Sequence, residues 1–262
     1  MNLTGKSVAI TGAAGGLGSA IAREARRRGA TELALLDVDE TRLAEVADQV
    51  GGFPIACDLG DEQEAAAALA QMESKVGLVD VYAANAGVNF FSDLTTAAAE
   101  WDRAWRTHVL SSAWAFRKLA PAMAARASGH LVITASTAAI SLSPKSVAYT
   151  VTKAAQLALA EGVGATFRSR GVLVTCFCPG GIRTPMLDRM SDDGSHSRRA
   201  HEEAHTPEAA AAILLDGIEA GRALVTTQTR TRDDLAQRGA DYEAWMADVV
   251  DRFASDRTGW SG

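Results

Sequence analysis

The sequence is poor in cysteine. Only three occur, at Cys57, Cys176 and Cys178, and each lies in or at the end of an apolar run. An odd number of cysteines within apolar strands is not typical of a disulfide framework. We therefore expect buried, reduced cysteines, which suit a cytoplasmic protein. The Cys-x-Cys spacing is predicted to direct two thiols to opposite faces of a strand. That would make a poor metal site, and we predict no bound metal.

Long apolar runs and blocks of like charge are also missing. No stretch of 18 apolar residues is present, so the sequence predicts no membrane-spanning helix. The opening MNLTGKSVAI runs straight into a strand pattern, without the basic and apolar regions of a signal peptide. The net charge is −6, and the longest block of like charge is Arg26–Arg28. A nucleic-acid partner is not expected, because phosphate binding requires a basic face.

The chain does contain a regular alternation of strand and helix patterns. The predicted strands are residues 6–11, 32–37, 53–57, 79–85, 130–136, 172–178 and 223–227. The helix that follows each of the first six is predicted to end near residue 28, 50, 75, 127, 169 and 221. Continuous apolar strands are typical of parallel sheets that helices cover on both faces. We therefore predict one α/β domain over residues 1–262, a doubly wound sheet of seven mostly parallel strands.

The stretch 231–256 continues past the last strand pattern. Its apolar side chains share one helical face, at Tyr242, Trp245, Met246, Val249, Val250 and Phe253. We therefore expect an additional C-terminal helical extension. The apolar face would pack on its own domain, contact another subunit or cover a site, and the pattern does not decide among these.

A glycine-rich loop joins the first strand to the first helix. It reads TGAAGGLG at 11–18, and glycines permit a sharp turn that brings the backbone close to a ligand. The N-terminus of the next helix offers free N–H groups, which indicates a pyrophosphate site. Asp37 ends the second strand, where a carboxylate would accept ribose hydroxyls and repel a 2′-phosphate. Because Val38 follows and the loop carries no basic residue, we predict NAD rather than NADP.

Further motifs follow in a fixed order along the chain. They are Asn85-Ala86-Gly87, Ser136, Tyr149-x-x-x-Lys153 and Pro179-Gly180. With T-G-x-x-x-G-x-G before them, this ordered set resembles the short-chain dehydrogenases/reductases over about residues 5–227. The resemblance implies a Rossmann-type fold and a nicotinamide dinucleotide. It assigns to the cofactor Gly12, Gly16, Leu17, Gly18, Asp37, Val38, Asp58, Leu59, Asn85, Ala86, Gly87, Tyr149, Lys153, Pro179, Gly180, Ile182 and Thr184.

The chain departs from that family pattern in two places. His108 stands where the family has an Asn after the pair Trp101-Asp102, and that Asn is thought to hold a water in a proton relay. A His could donate and accept similarly, so its part in the relay stays open. Many members also end in a glycine-rich tail, which the helical extension replaces here. The small-residue face of the helix at 147–169 builds the dimer core in the family, so we predict a homodimer or homotetramer.

The catalytic prediction centres on a tyrosine and a lysine. Tyr149 and Lys153 are four residues apart and share a helical face. An ammonium about 4–5 Å from the phenolate is worth roughly 3–4 kcal/mol, which would lower the tyrosine pKa by about 2–3 units. Tyr149 would then act as general base, while Ser136 hydrogen-bonds the substrate oxygen. The resemblance implies that Lys153 binds the nicotinamide ribose and that the proton leaves through the ribose and Lys153. Whether His108 takes part in this relay stays open.

The stretch HEEAH at 201–205 matches H-E-x-x-H, the pattern of zinc-protease helices. Its flanks are polar, and Pro207 pushes Thr206 out of helical geometry and towards a helix cap. We therefore expect a solvated part of a substrate-covering loop at about 185–206. A metal site with His196 as third ligand is the minor alternative, and a histidine that reaches into the pocket stays open.

Residues after the strand ends should line the substrate pocket. The candidates are Asn89, Phe90, Phe91, Ala138, Ile140, Leu142, Gly181, Met186, Leu187 and Met190. This mostly apolar set favours a neutral, hydrophobic or cyclic secondary alcohol or ketone, although Arg183 and Arg189 leave an anionic substrate open. The predicted activity is NAD(H)-dependent hydride transfer. The alternatives are an NADPH-linked carbonyl or 3-oxoacyl thioester reductase and a non-catalytic NAD-binding sensor.

Overall fold

The computed structural model describes residues 1–90, 94–143, 146–189 and 200–253. Seven strands form one parallel sheet in the order β3-β2-β1-β4-β5-β6-β7, which confirms the predicted doubly wound sheet. The strands are β1 Ser7–Thr11, β2 Glu32–Asp37, β3 Phe53–Ala56, β4 Val81–Ala84, β5 Gly129–Thr134, β6 Val172–Cys178 and β7 Leu224–Thr226.

Helices cover both faces of this sheet. They are α1 Gly16–Arg27, α2 Glu40–Val50, α3 Glu62–Val76, α4 Ala98–Trp105, α5 Ser111–Ala125, α6 Ala138–Ser141, α7 Val147–Phe167, α8 Pro185–Asp188, α9 Pro207–Glu219, α10 Thr229–Ala240 and α11 Tyr242–Phe253. One hydrophobic core lies between the sheet and α1, α2 and α9, and the other between the sheet and α3, α5 and α7. No helix in the described ranges is both long and apolar enough to span a membrane.

The order of the strands creates a crevice at one edge of the sheet. The chain moves from β1 outwards to β2 and β3, then returns to place β4 on the other side of β1. At such a switch point the connections leave on opposite faces, so the carboxyl ends of β1 and β4 stay uncovered. Ligands of open α/β sheets bind in this position, and the motifs found in the sequence follow these strand ends.

Two local features differ from the sequence-based expectations. The region predicted as one helix over 98–127 is divided by a π turn at Arg106–Leu110. The C-terminal extension is two helices, because Asp241 is extended and its Oδ1 accepts the N–H of Ala244 as an N-cap. The predicted extension also includes 254–256, which lie outside the described residues.

The prediction that Cys176 and Cys178 point to opposite faces is wrong. Residues two apart in a strand share a face, and their Sγ atoms lie 3.7 Å apart in the core. Both side chains are buried, as is Cys57, and all three thiols are free. In the described part of the chain, no three His, Cys, Asp or Glu side chains form a group that could hold a metal ion.

Candidate active site

A cavity of about 700 Å³ opens along the carboxyl edge of the sheet. The part of its wall that we call the glycine-loop end consists of residues 12, 14–18, 37–39, 57–59 and 85–87. The part that we call the C-terminal end consists of Met186, Leu187, Arg189, Ala200, Glu203, Gln228, Arg230, Thr231, Arg252 and Phe253. The residues at the end of β5 and the start of α7 lie between them in the order of the sheet. Residues that are far apart in the sequence therefore line one cavity.

The glycines of the loop are required by close approach of backbone to backbone. Gly12 has φ +66°, and a Cβ there would lie 2.9 Å from Cα of Ala86. A Cβ on Gly18 would overlap the carbonyl oxygen of Gly12, and one on Gly16 would lie 2.7 Å from Cγ2 of Thr184. Side chains at these three positions would therefore push the loop away from the end of β4, from its own first turn and from Thr184. The loop thus leaves a cradle of the kind that a pyrophosphate occupies.

The hydroxyl of Thr11 ties the loop to the end of β4. It accepts the N–H groups of Asn85 and Ala86, each at 2.9 Å, and donates to the carbonyl of Ala83. The side-chain amide of Asn85 in turn donates to the carbonyl of Thr11 at 3.1 Å. These bonds hold two adjacent strand ends at a fixed separation. They give Thr11 and Asn85 a positioning task that the motif spacing alone does not show.

The carboxylate of Asp37 is fixed by two backbone donors. The N–H of Ala14 donates to Oδ2 at 2.9 Å and the N–H of Asp39 donates to Oδ1 at 3.1 Å. Each carboxylate oxygen keeps a further acceptor site for a ligand in the cavity. Val38 is 70% exposed beside it. Arg42, from the first turn of α2, also lines this end and was not among the sequence-predicted residues.

Every cofactor residue predicted from the sequence lies on the wall of this cavity. Ser136, Tyr149 and Lys153 lie on it as well, together with Ala138, Leu142, Gly181 and Met186. The described part of the wall does not include His108 or Phe90, nor Ile140. Phe91 and Met190 lie outside the described residues. The glycine cradle, the fixed Asp37 carboxylate and the volume of the cavity fit a nicotinamide dinucleotide.

Ser136, Tyr149 and Lys153 meet where β5 ends and α7 begins. The hydroxyl of Ser136 is placed to stabilise the phenolate form of Tyr149 by a hydrogen bond, which lowers the pKa of that phenol. The Nζ atom of Lys153 lies 5.3 Å from the centroid of the tyrosine ring and donates to the carbonyl of Thr134 at 2.8 Å. Because Tyr149 and Lys153 are one turn apart on α7, the helix presents both towards the same wall.

The pKa shifts of Tyr149 and Lys153 both favour the uncharged form of the side chain. Burial raises the pKa of Tyr149 to about 12, although the Ser136 hydrogen bond opposes the rise. Burial lowers the pKa of Lys153 to about 7, so its ammonium form is disfavoured at the same place. The lowering of the Tyr149 pKa expected from the sequence is thus not present in the protein by itself. Removal from water is the largest cause of the shift for both groups.

Comparison with known proteins places this geometry in a family. The sequence model described as short chain dehydrogenase matches residues 6–194. The chain belongs to the short chain dehydrogenase family. Oxidoreductase UcpA of Escherichia coli (strain K12) is 32% identical over 231 residues, which cover 84% of this chain and 86% of UcpA. The chain is therefore an oxidoreductase of this family.

Solved structures show the same fold. A short chain dehydrogenase/reductase from Burkholderia phymatum in complex with NAD has a TM-score of 0.83 and 24% identity, over 93% of this chain and 96% of that one. L-Sorbose reductase from Gluconobacter frateurii, complexed with NADPH and L-sorbose, has a TM-score of 0.73 and 24% identity, over 83% and 91%. Structural neighbours within the short chain dehydrogenase family thus bind either dinucleotide.

His108 occupies the position of the family's Asn, and its ring lies near Gly87, 5.7 Å from the Tyr149 ring between centroids. Its Nε2 accepts the N–H of Val88 at 2.9 Å, and its Nδ1 lies 2.8 Å from the hydroxyl of Thr152. The Thr152 hydroxyl donates to the carbonyl of Tyr149, so Nδ1 of His108 carries the proton. Burial holds the pKa of His108 well below its usual range. Both ring nitrogens of a neutral imidazole are therefore already engaged.

Gln156 connects Lys153 to this region and was missed by the sequence reasoning. Its Oε1 accepts from Nζ of Lys153 at 2.8 Å, and its Nε2 donates to the backbone carbonyl of His108 at 2.9 Å. The side chain is fully buried. The signal was present, since Gln156 is three residues after Lys153 on the same helical face. A buried glutamine thus links Lys153 to the backbone of His108, which stands where the family has its Asn.

The HEEAH stretch does not form a zinc-protease helix. His201 lies in a short helical turn, but His205 is extended and pairs with Ile182 in a β-bridge. Thr206 then caps α9 by accepting the N–H of Ala209, as its sequence context predicts. The two histidines therefore do not share one helical turn. His196 lies outside the described residues, and so does the part of the predicted covering loop from 190 to 199.

Proposed function

We propose that the protein transfers hydride between NAD(H) and a secondary alcohol or ketone, with Tyr149 as general base in the oxidising direction. The observation that carries the proposal is one continuous cavity. Its wall holds the glycine cradle at one end and, further along, Ser136, Tyr149 and Lys153. The pocket wall near these three groups includes Leu142 and Met186, which suit an apolar substrate body.

The residues at the glycine-loop end support NAD over NADP. Asp37 and Asp39 line the wall where the adenosine ribose would lie, and Asp37 is held in place by two backbone amides. A second negative charge from a 2′-phosphate would be repelled there. Arg42 lies nearby and would attract that phosphate, so the preference rests on two carboxylates against one guanidinium.

The catalytic step assigns each side chain one task. Bound NAD supplies the hydride acceptor and a positive charge near the phenol. Lys153 has three donors as an ammonium, of which Thr134 and Gln156 take two, so one remains for a ribose hydroxyl or the phenol. Ser136 hydrogen-bonds the substrate oxygen and stabilises the charge that develops on it. The phenolate of Tyr149 then takes the hydroxyl proton of the substrate.

The structure favours a positioning role for His108. Its ring nitrogens bond Val88 and Thr152, and its backbone carbonyl is linked to the lysine by hydrogen bonds through Gln156. A carboxamide donates through nitrogen and accepts through oxygen, so it does not exchange protons as water does. We infer that the proton leaves through Lys153 and the ribose towards solvent, rather than past His108.

Two further predictions from the sequence remain proposals. We expect at least a dimer that pairs through α7, whose Ala158, Gly162 and Ala165 are exposed. Sedimentation as a monomer at micromolar concentration would contradict this. We also propose a cytoplasmic location, because all three cysteines are free thiols.

A substrate screen tests the proposed activity. The protein is offered NAD or NADP with a panel of secondary alcohols, and NADH or NADPH with the matching ketones, while the nicotinamide absorbance is followed. We expect turnover with NAD and a weaker rate with NADP. Faster turnover of ketones with NADPH would support a biosynthetic reductase instead. Tight NADH binding without any turnover would support a sensor.

A further inference from the structure

The two C-terminal helices contribute directly to the wall of the cavity. Gln228, Arg230 and Thr231 reach it from the start of α10, and Arg252 reaches it from the end of α11. The start of α10 is tied to the end of β6, because the N–H of Gly180 donates to the hydroxyl of Thr227 at 3.0 Å. Helix α10 also packs against α6, which begins two residues after Ser136. The extension therefore borders the part of the cavity that holds the catalytic groups.

Arg252 is held rigidly but only partly satisfied. Its Nη1 pairs with Asp234 at 3.0 Å and its Nε pairs with Asp248 at 2.9 Å, while the side chain is 12% exposed. The remaining nitrogen, Nη2, is buried and has no hydrogen-bond partner in the described part of the chain. A buried donor without an acceptor is costly. Because the side chain lines the cavity, a ligand there can supply the acceptor.

Arginines outnumber carboxylates on this part of the wall, and Asp248 behind it pairs with Arg230 at 4.0 Å as well as with Arg252 at 2.9 Å. Arg189, Arg230 and Arg252 all line the C-terminal end, and Glu203 is the carboxylate that the described residues place on the wall there. Glu203 is already bonded to the side-chain amide of Gln228 at 3.2 Å. Asp234 and Asp248 hold Arg252 from behind and are not on the wall. A guanidinium held in this way matches the planar geometry of a carboxylate.

We propose that the substrate carries a carboxylate that Arg252 binds, so that the natural substrate is a secondary hydroxy acid or the matching keto acid. This inference rests on the proposed function and replaces the neutral substrate that the sequence favoured. Arg252 would fix one end of the molecule while Ser136 and Tyr149 address the carbinol. The apolar side chains of Leu142 and Met186 would contact the carbon chain between these two points.

The test compares acids with their own methyl esters. The probes are straight-chain secondary hydroxy acids from 3-hydroxybutanoate to 7-hydroxyoctanoate and the corresponding esters, with NAD. For at least one chain length we expect kcat/KM for the acid to exceed that for the ester by tenfold or more. Arg252→Gln should lower this acid-to-ester ratio about tenfold. Arg117→Gln, an exposed arginine on α5 paired with Glu62, is the matched control and should leave the ratio unchanged.

A second variant guards against misfolding. Arg252→Gln alone leaves the buried Asp234 without its partner, so the double variant Arg252→Gln with Asp234→Asn restores a neutral, hydrogen-bonded pair. We expect the double variant to recover the melting temperature and still lack the preference for acids. Esters that are used as well as acids at every chain length, or a preference that survives both variants, would overturn the inference and leave the proposed oxidoreductase activity intact.

A binding measurement separates the two proposals. Calorimetry with butanoate to octanoate in the presence of NADH reports the carboxylate site without turnover. Saturable binding that Arg252→Gln weakens about tenfold supports the inference even if no alcohol is oxidised, in which case only the proposed function fails. No binding of any chain length, together with oxidation of neutral alcohols, overturns the inference alone.

Discussion

At the glycine-loop end of the cavity, the wall is built from strand ends and the turns directly after them, and much of the shape comes from backbone. At the C-terminal end, the wall is built from side chains that are far apart in sequence, such as Met186 and Arg252. Backbone geometry follows from residue types at fixed spacing, whereas side-chain assembly depends on how separate helices pack. The first end can therefore be inferred from sequence and the second has to be seen in the structure.

The largest expected effect concerns Tyr149, which lies between the two ends of the cavity. Tyr149→Phe removes the hydroxyl that both the catalytic proposal and the Ser136 hydrogen bond require. We expect kcat to fall about 10³-fold, within the range for loss of a general base, while NADH affinity changes little. The measurement is steady-state kinetics beside an NADH titration. Retention of more than a few per cent of activity would show that another group takes the proton.

Asp37→Asn sharpens the account of the glycine-loop end. The variant keeps one acceptor oxygen and loses the charge, so NADH affinity should fall about tenfold and NADPH affinity should rise. Melting temperature serves as a control, because the carboxylate also binds the N–H groups of Ala14 and Asp39. An unchanged ratio of NADH to NADPH affinity would mean that Arg42 or another group sets the preference.

Gln156→Ala tests the buried contact behind Lys153. The change removes hydrogen bonds to Lys153 and to the carbonyl of His108, and we expect a loss of stability of about 2 kcal/mol. We also expect kcat to fall by about tenfold with a shifted pH profile, because a buried amide that fixes the lysine also fixes its pKa. Gln237→Ala, at an exposed position on α10, is the control. A loss of stability with an unchanged pH profile would reduce Gln156 to a packing residue.

The last prediction concerns stability, not activity, at the opposite edge of the sheet. His130 is the second residue of β5, and burial lowers its pKa to about 4 from the ordinary 6.5. Between these values the unfolded chain binds more protons at this residue than the folded chain does. Stability is therefore fully present above pH 6.5 and is lost as the pH falls towards 4, by about 3 kcal/mol for this group.

His130→Leu provides the comparison for that effect. The Nε2 of His130 lies 2.7 Å from the hydroxyl of Thr175, which still keeps its bond to the carbonyl of Arg222 in the variant. Denaturant unfolding should show that the free energy of unfolding falls less between pH 7 and pH 4.5 for the variant than for the natural protein. Equal losses would assign the acid sensitivity to His108 and other groups instead.

The sequence predicted the sheet and the glycine-loop end because the governing rules are local. Gly12 is needed where φ is positive, and Asp37 lies at a strand end, so both can be placed without knowledge of packing. The break at Asp241 and the π turn at Arg106–Leu110 were missed, since both lie in continuous helical patterns. Gln156 and Arg252 gain their importance only from partners on other helices. The pKa of Tyr149 was expected to fall, whereas burial, which no spacing reveals, raises it in the protein by itself.

The central claim is that the glycine-loop end holds a nicotinamide dinucleotide in reach of Tyr149. Calorimetric titration of the natural protein with NADH and with NADPH tests it most directly. We predict one saturable site per chain for NADH, with NADPH bound about tenfold or more weakly because of Asp37. Absence of saturable binding for both dinucleotides would contradict the account.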